Sequence, residues 1–304
     1  MLAMHLNETF TDTAASAIAA VMKLANFTGA PEDIHQVPIL RKMTEKMMNA
    51  EKLVFILPAF PAKSPSPLKT SGVLPDLGEV LALQNLNNMC SEISAYYAPG
   101  AEVIICSDGR VFSDVVGVSD ELITAYAEGI DEIIRDFGLS HLRTFAMDEL
   151  LPELKGDELR TVLLRNFSMS IEAVREKARI NPALFNGLHK FMVEDQLPLS
   201  TLSKNQLTKL MKERTYELMR RSDAWSALLE EKFGDVLRLS IHPYPLANEK
   251  FGVKLVTCSE KWATPWHNVT VRTERGFELM HKSRALELGA VEKKLGGKYV
   301  FFEL

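Results

Sequence analysis

The side chains most able to do chemistry gather where apolar runs stop. The run LVFIL (53–57) ends in PAFPAKSPSP, which sets Lys63 and Ser64 among Pro58, Pro61, Pro65 and Pro67, with Lys69 just beyond. Proline fixes φ and reduces the freedom of the unfolded chain, so a lysine and a hydroxyl are held there at low entropic cost. Such a pair suits a phosphate or carboxylate, or the amine could serve as an acid–base group; a plain rigid surface loop is the alternative. A second run, VIIC (103–106), ends in Ser107, Asp108, Gly109 and Arg110. Asp108 could hold a substrate hydroxyl or simply make an Asx turn. Asp114, in VFSD, has the weaker claim.

Asp76 and Glu79 open a helical pattern after Pro75, where they either complement the helix dipole or face a ligand. Near the C-terminus, RLSIHP (238–243) places Arg238, Ser240 and His242 on one face if extended, a surface for binding anions or moving protons. TPWHN (264–268) sets Trp266, which could stack on a ligand or belong to the core, beside His267. Lys63, His242 and His267 are therefore the candidate catalytic residues. Ser64, Lys69, Asp76, Glu79, Ser107, Asp108, Arg110, Arg238, Ser240 and Trp266 are candidates for substrate binding. Lys204, Lys209, Lys212, Arg214, Arg220 and Arg221, interspersed with Glu213 and Glu217, read instead as a solvated helix face.

Missing motifs narrow the chemistry. There is no GxGxxG after the first strand and no GxxxxGK[ST], so nicotinamide, flavin and P-loop readings lose their main support. GxSxG and HExxH are absent, and no histidine is followed two positions later by Asp or Glu. Metal dependence is not expected from these patterns. A net charge of −5 argues against a nucleic-acid partner. No apolar run approaches the ~20 residues that span a bilayer. Three cysteines without a CxxC pair and no basic-then-apolar leader point to a cytoplasmic protein.

These groups need elements to position them. The two apolar runs read as buried strands, and the helical pattern from Pro75-Asp76 to about Tyr96 joins them into a βαβ unit. Its ligand would sit beyond the carboxyl ends of the strands. Helices are also expected over 13–26, 40–48 and 120–137, the last with Ser119 as cap and Gly138 as stop. Residues 147–233 read as helical, including a long helix over 204–232. Strands return at 236–241, 253–257, 268–272, 277–281 and 299–302, with a hairpin turn at 273–276. The expected fold is α/β: a Rossmann-like mixed sheet, a helical insertion and C-terminal antiparallel strands. It makes one domain over 1–304, with its core at about 50–140 and 235–304 and the insertion at about 145–235.

With these residues assembled, the sequence resembles the pyoverdine/dityrosine biosynthesis family, whose bacterial members include isonitrile synthases. The segments that carry the resemblance are PAFPAKSPSP, LPDLGEVLAL, PGAEVIICSDGRVFSDVVGV, RLSIHP and TPWHN, in the family's order. SPSP and KTSG depart from the SPNP-like and KVLG-like stretches expected there. The resemblance implies cofactor-free chemistry in which the amine of tyrosine or tryptophan condenses with the ketone of ribulose 5-phosphate. Phosphate loss and carbon–carbon cleavage then leave the carbonyl carbon as the isonitrile. It also implies a downstream Fe(II)/2-oxoglutarate oxygenase as recipient of the product. A Rossmann-like methyltransferase, a phosphosugar-modifying enzyme and a non-catalytic small-molecule-binding protein are the alternatives.

Overall fold

A computed structural model describes residues 2–28, 37–245, 248–258 and 263–304, with the side chains of residues 2–10 left aside. The stretch 26–37, which reads from the sequence as a loop between the first two helices, lies partly outside the described residues. The apolar runs become β1 (Leu53–Pro58) and β2 (Ala101–Ser107). With β3 (Leu142–Ala146), β4 (Leu237–Ser240) and β5 (Phe251–Gly252) they form a sheet in the order β3-β2-β1-β4-β5. Every pairing in it is parallel. The antiparallel pairing lies in a separate sheet, β7 (Gly276–Met280), β6 (Val269–Thr273), β9 (Tyr299–Glu303) and β8 (Val291–Leu295) in that order. There β6 and β9 are parallel and the other two pairs antiparallel.

Side chains alternate across the parallel strands, so both faces need cover. Phe55, Leu57, Val103, Ile105, Leu237 and Leu239 join the main core. It includes residues of α1 (Leu2–Met22), α2 (Pro38–Met48), α3 (Leu77–Tyr96) and α5 (Asp120–Asp136). Ile56, Ile104 and Cys106 pack on the opposite face against α6 (Asp157–Phe167) and the C-terminal half of α9 (Lys204–Phe233). Between them in sequence run α7 (Ile171–Ile180) and α8 (Pro182–Gln196); α4 (Gly109–Val116) and α10 (Lys282–Glu287) complete the helices.

Several local signals act as expected. Ser119 accepts a hydrogen bond from Leu122 N, and Gly138 takes a positive φ of 60° just past α5. Asp76 and Glu79 form a reciprocal capping box on α3. The expected strand at 253–257 does not form. Pairing with β4 ends at Gly252 because the backbone turns to the N-terminal segment, with Asn26 N donating to Gly252 O and Lys254 N to Leu24 O. The solvated face assigned to α9 also needs correction. Arg221 is buried and paired with Asp114, while Arg220 donates to Ser168 Oγ and Met169 O.

In this strand order, the connections from β1 and β4 leave on opposite sides. The crevice at their carboxyl ends is the topological switch point, where open α/β sheets bind ligands.

Candidate active site

Three loops meet at that crevice. Leaving β1, Phe60 adopts a positive φ of 58°, a strained conformation for a bulky residue, and packs on Trp266 with ring centroids 5.2 Å apart. The Phe60 carbonyl accepts from Ser107 Oγ at 3.3 Å, joining the loop to the end of β2. The next carbonyl, of Pro61, sits so close to Gly109 that a Cβ there would lie 1.9 Å from its oxygen, so only glycine fits. Ser64 N donates to Trp266 O at 2.8 Å, bringing in the third loop.

Beneath this junction lies a closed ionic cluster. Lys63 Nζ is 2.7 Å from Asp76 Oδ2, 2.8 Å from Glu79 Oε2 and 2.9 Å from Pro265 O. These three acceptors use all three ammonium donors. Its side chain has 0% exposure, so Lys63 is not the open cradle for an anion that the sequence suggested. Burial alone would lower the lysine pKa; the charges of Asp76 and Glu79 outweigh that and raise it. One ammonium cannot neutralise two carboxylates. Glu79, fully buried, is pushed above its ordinary range by burial, despite Lys63, and further by the charge of Asp76. Tyr126 Oη donates to Glu79 Oε1 at 3.0 Å.

Above the cluster opens a cavity of about 360 Å³. Its apolar lining comes from Phe112 and Val116 of α4, Ile123 of α5, Leu184, Leu188 and Phe191 of α8, and Leu218 of α9. The same cavity is lined by Ser64, Asp108, Asp195, His242, Trp266 and His267 and by the Lys63 loop, and Phe191 packs edge-on against the His267 ring with centroids 4.6 Å apart. His267 Nδ1 pairs with Thr264 Oγ1 at 3.1 Å, and its Nε2 is 4.0 Å from Asp195 Oδ2. Burial, then the charges of Lys69 and Lys63, push the His267 pKa down to about 3, so the ring is neutral. His242 is also shifted down, by burial and by Lys250. Asp108 Oδ1 is shut away from solvent without a hydrogen-bond partner, and burial pushes the carboxyl up to about 7. A carboxyl poised there can accept or release a proton at neutral pH.

The expected site residues therefore divide. Lys63, Ser64, Asp108, His242, Trp266 and His267 line the cavity, and Asp76 and Glu79 stand behind Lys63. Lys69 lies next to it, bound to Asp195 Oδ1 at 2.6 Å and 5.0 Å from the centre of the Phe191 ring. Ser107 and Ser240 hold backbone, Ser240 Oγ accepting from His242 N at 3.2 Å. Arg110 turns away, 3.3 Å from Asp148 and donating to Thr124. Asp114 is paired with Arg221 and Arg160. Arg238 is separated from His242 because the strand places it beside Ile56, on the face covered by α9. Its Nη2 donates to Ser226 at 3.0 Å.

Sequence reasoning passed over Asp195, Phe191 and Tyr126. Asp195 and Phe191 sit in an unremarkable helical pattern, and only the packing of α8 over the strand ends brings them to the cavity. Tyr126 falls at an apolar position of the helical pattern over 120–137, and that pattern gives its hydroxyl no partner.

An open parallel α/β sheet whose switch point holds a cavity lined by apolar side chains and proton-handling groups defines a small-molecule enzyme class. Within that class the chain belongs to the pyoverdine/dityrosine biosynthesis protein family, whose model matches residues 43–293. It is 40% identical to an L-tryptophan isonitrile synthase of Fischerella ambigua over 257 residues, 83% of this chain and 78% of the relative. It is 39% identical to an L-tyrosine isonitrile synthase of Pseudomonas aeruginosa over 262 residues, 84% and 80% of the two chains. The crystal structure of the PvcA protein from Pseudomonas aeruginosa superposes with a TM-score of 0.89 at 34% identity, covering 96% of this chain and 99% of that one.

Proposed function

We propose that the protein is an isonitrile synthase. It converts the α-amino group of tyrosine or tryptophan to an isonitrile, with ribulose 5-phosphate supplying the carbon. The observation that supports this reading is a cavity that combines apolar and aromatic lining with a group of uncharged or nearly neutral proton-handling side chains. Desolvating an aromatic ring among Phe112, Ile123, Leu188, Phe191 and Leu218 supplies binding, and the three packed loops fix orientation.

Condensing an amine with a ketone and then breaking a carbon–carbon bond requires protons to be taken and returned several times. Two neutral imidazoles and a carboxyl near its midpoint suit that work. Lys63 acts by holding its loop against Asp76 and Glu79, which makes it a positioning residue in this reading. The product passes to an Fe(II)/2-oxoglutarate oxygenase of cytoplasmic secondary metabolism.

The test is mass spectrometry of the purified protein with tyrosine or tryptophan and ribulose 5-phosphate labelled with ¹³C at its carbonyl carbon. The expected product is the amino acid plus one labelled carbon and minus two hydrogens. Turnover that depends on added S-adenosylmethionine, or unlabelled product, would overturn the reading.

A further inference from the structure

The hydrogen bonds around TPWHN fix more than the position of His267. Thr264 precedes the short 3₁₀ turn Pro265–His267, where a threonine commonly turns its hydroxyl onto a backbone N–H. Here the hydroxyl makes no such cap. The Thr264 carbonyl accepts from His267 N at 3.1 Å and from Asn268 Nδ2 at 3.0 Å, while the hydroxyl meets His267 Nδ1 at 3.1 Å. Thr264 is buried, and among the described residues its hydroxyl has no other partner. A buried O–H needs an acceptor, and Nδ1 can be one only when it carries no hydrogen.

The other ring nitrogen gives the same answer. Nε2 is 4.0 Å from Asp195 Oδ2, too far for a hydrogen bond but close enough for charge to act. A lone pair facing a carboxylate is repelled, whereas an N–H is attracted. Lys69 already balances that carboxylate, 2.6 Å from Oδ1. A proton added to His267 would therefore stand beside Lys69, Lys63 and His242 with no anion of its own, and burial with these charges keeps the ring neutral. Phe191 of α8, edge-on to the ring, brings no charge.

We propose that Thr264 and Asp195 are positioning residues that fix His267 as a neutral imidazole with its hydrogen on Nε2, so that it serves as a hydrogen-bond donor to a substrate oxygen and not as a base. With Nδ1 spent on Thr264, Nε2 is the nitrogen left for a ligand. A preorganised neutral donor stabilises negative charge as it develops on oxygen. The identity of that oxygen rests on the proposed function. As the amine nitrogen bonds to the ketone carbon, the C=O π pair moves onto the oxygen, which meets the Nε2–H. The proton that the nitrogen sheds goes to the Asp108 carboxylate, which lines the same cavity. Proton transfer then belongs to Asp108 and His242.

Nitrogen-15 NMR of the histidine-labelled protein reads the tautomer without turnover, with His267→Gln or His267→Phe identifying the signal. At neutral pH the wild type should show a hydrogen-bearing Nε2 and a bare Nδ1. Thr264→Val, which removes the hydroxyl at nearly constant shape, should mix the two tautomers, and Thr264→Ser should restore one. Steady-state kinetics give the second arm. His267→Phe should lower kcat by about 10²- to 10³-fold, the worth of one such donor. His267→Gln keeps an N–H but cannot act as a base, and it should recover part of that loss. Thr264→Val should lower kcat about two- to tenfold, as for one hydrogen bond, with both KM values nearly unchanged. A hydrogen on Nδ1 or an imidazolium in the wild type overturns the assignment, even where a buried variant fails to fold. A folded His267→Gln no more active than His267→Phe overturns it as well. The expected tautomer in a protein that makes no isonitrile would sink the proposed function and still support His267 as a fixed Nε2–H donor.

Discussion

The cluster under the β1 loop and the groups facing the cavity are built from similar residue types a few ångströms apart, yet one is closed and the other is not. Lys63 spends every donor on Asp76, Glu79 and Pro265. Across the loop, Asp108 has a carboxylate oxygen with no partner, and His267 stands 4.0 Å from Asp195. A satisfied buried network fixes the shape of the fold, whereas a buried group left short of partners has a free-energy reason to engage substrate. Position next to a cavity therefore does not separate scaffold from chemistry; the state of each group's hydrogen bonds does.

The largest test breaks the closed side. Lys63→Ala would leave Asp76 and Glu79 facing each other without a counter-charge, and removing one partner of a buried pair costs about 3–5 kcal/mol. Denaturant unfolding should show that loss, with activity falling as the loop slackens. Wild-type stability in Lys63→Ala would mean that the cluster is not a closed network. The paired replacement Lys63→Met with Glu79→Gln should recover part of the stability, since it removes the charges together.

Asp108→Asn tests the open side and should give the opposite pattern. Stability should hold or rise, while turnover falls by ~10² or more, the usual worth of a general acid or base. A pH series sharpens it. The Asp108 pKa rises from an ordinary 3.8 to about 7 on folding, so between those values the folded state holds a proton that the unfolded state has released. That contribution is complete below about pH 4 and is lost as pH climbs to about 7. Unfolding curves should therefore slope downward with pH across this window in the wild type, and less steeply in Asp108→Asn. Equal slopes would show that Asp108 is not held protonated. Asp114, whose carboxyl is kept low by Arg221 and Arg160 even though burial pushes it upward, works in the other direction and loses its contribution only in acid.

Much of the closed side was legible in the chain, and less of the open side. The β-branched run before PAFPAKS, the alternation that buries Phe55 and Leu57, and the proline-stiffened loop are local patterns, and they place Lys63 correctly. Its burial could also have been read, because lysine is rarely buried unpaired and Asp76 and Glu79 stand one helical turn apart. β3 was missed because LRTFA buries only Leu142 and Phe145, and β8 because VEKKL is an edge strand exposed at every residue. Asp195 reaches the cavity only through the packing of α8 onto the strand ends, which no local window encodes. The grouping of Arg238 with His242 failed for a related reason. Strand alternation puts Arg238 on the α9 face, but β4 ends at Ser240 and the chain bends before His242.

The smallest effect comes from the edge of the closed cluster and asks how redundant it is. Tyr126 is wholly buried, and its hydroxyl donates to Glu79 Oε1, while Glu79 Oε2 already meets Lys63 and the Asp76 backbone N–H, at 2.8 and 2.9 Å. Tyr126→Phe removes one donor and leaves the ring's packing in place, so the cost should be near ~1 kcal/mol, the net worth of one hydrogen bond. With a donor gone, Glu79 should hold its proton to higher pH, and stability should fall as pH rises through a window displaced upward from that of the wild type. Turnover should change little, because Tyr126 does not line the cavity. If Tyr126→Phe instead lost activity as Asp108→Asn should, with stability intact, the cluster would be passing protons to the cavity. The division between a closed scaffold and an open reactive wall would then have to be redrawn with Glu79 on the reactive side.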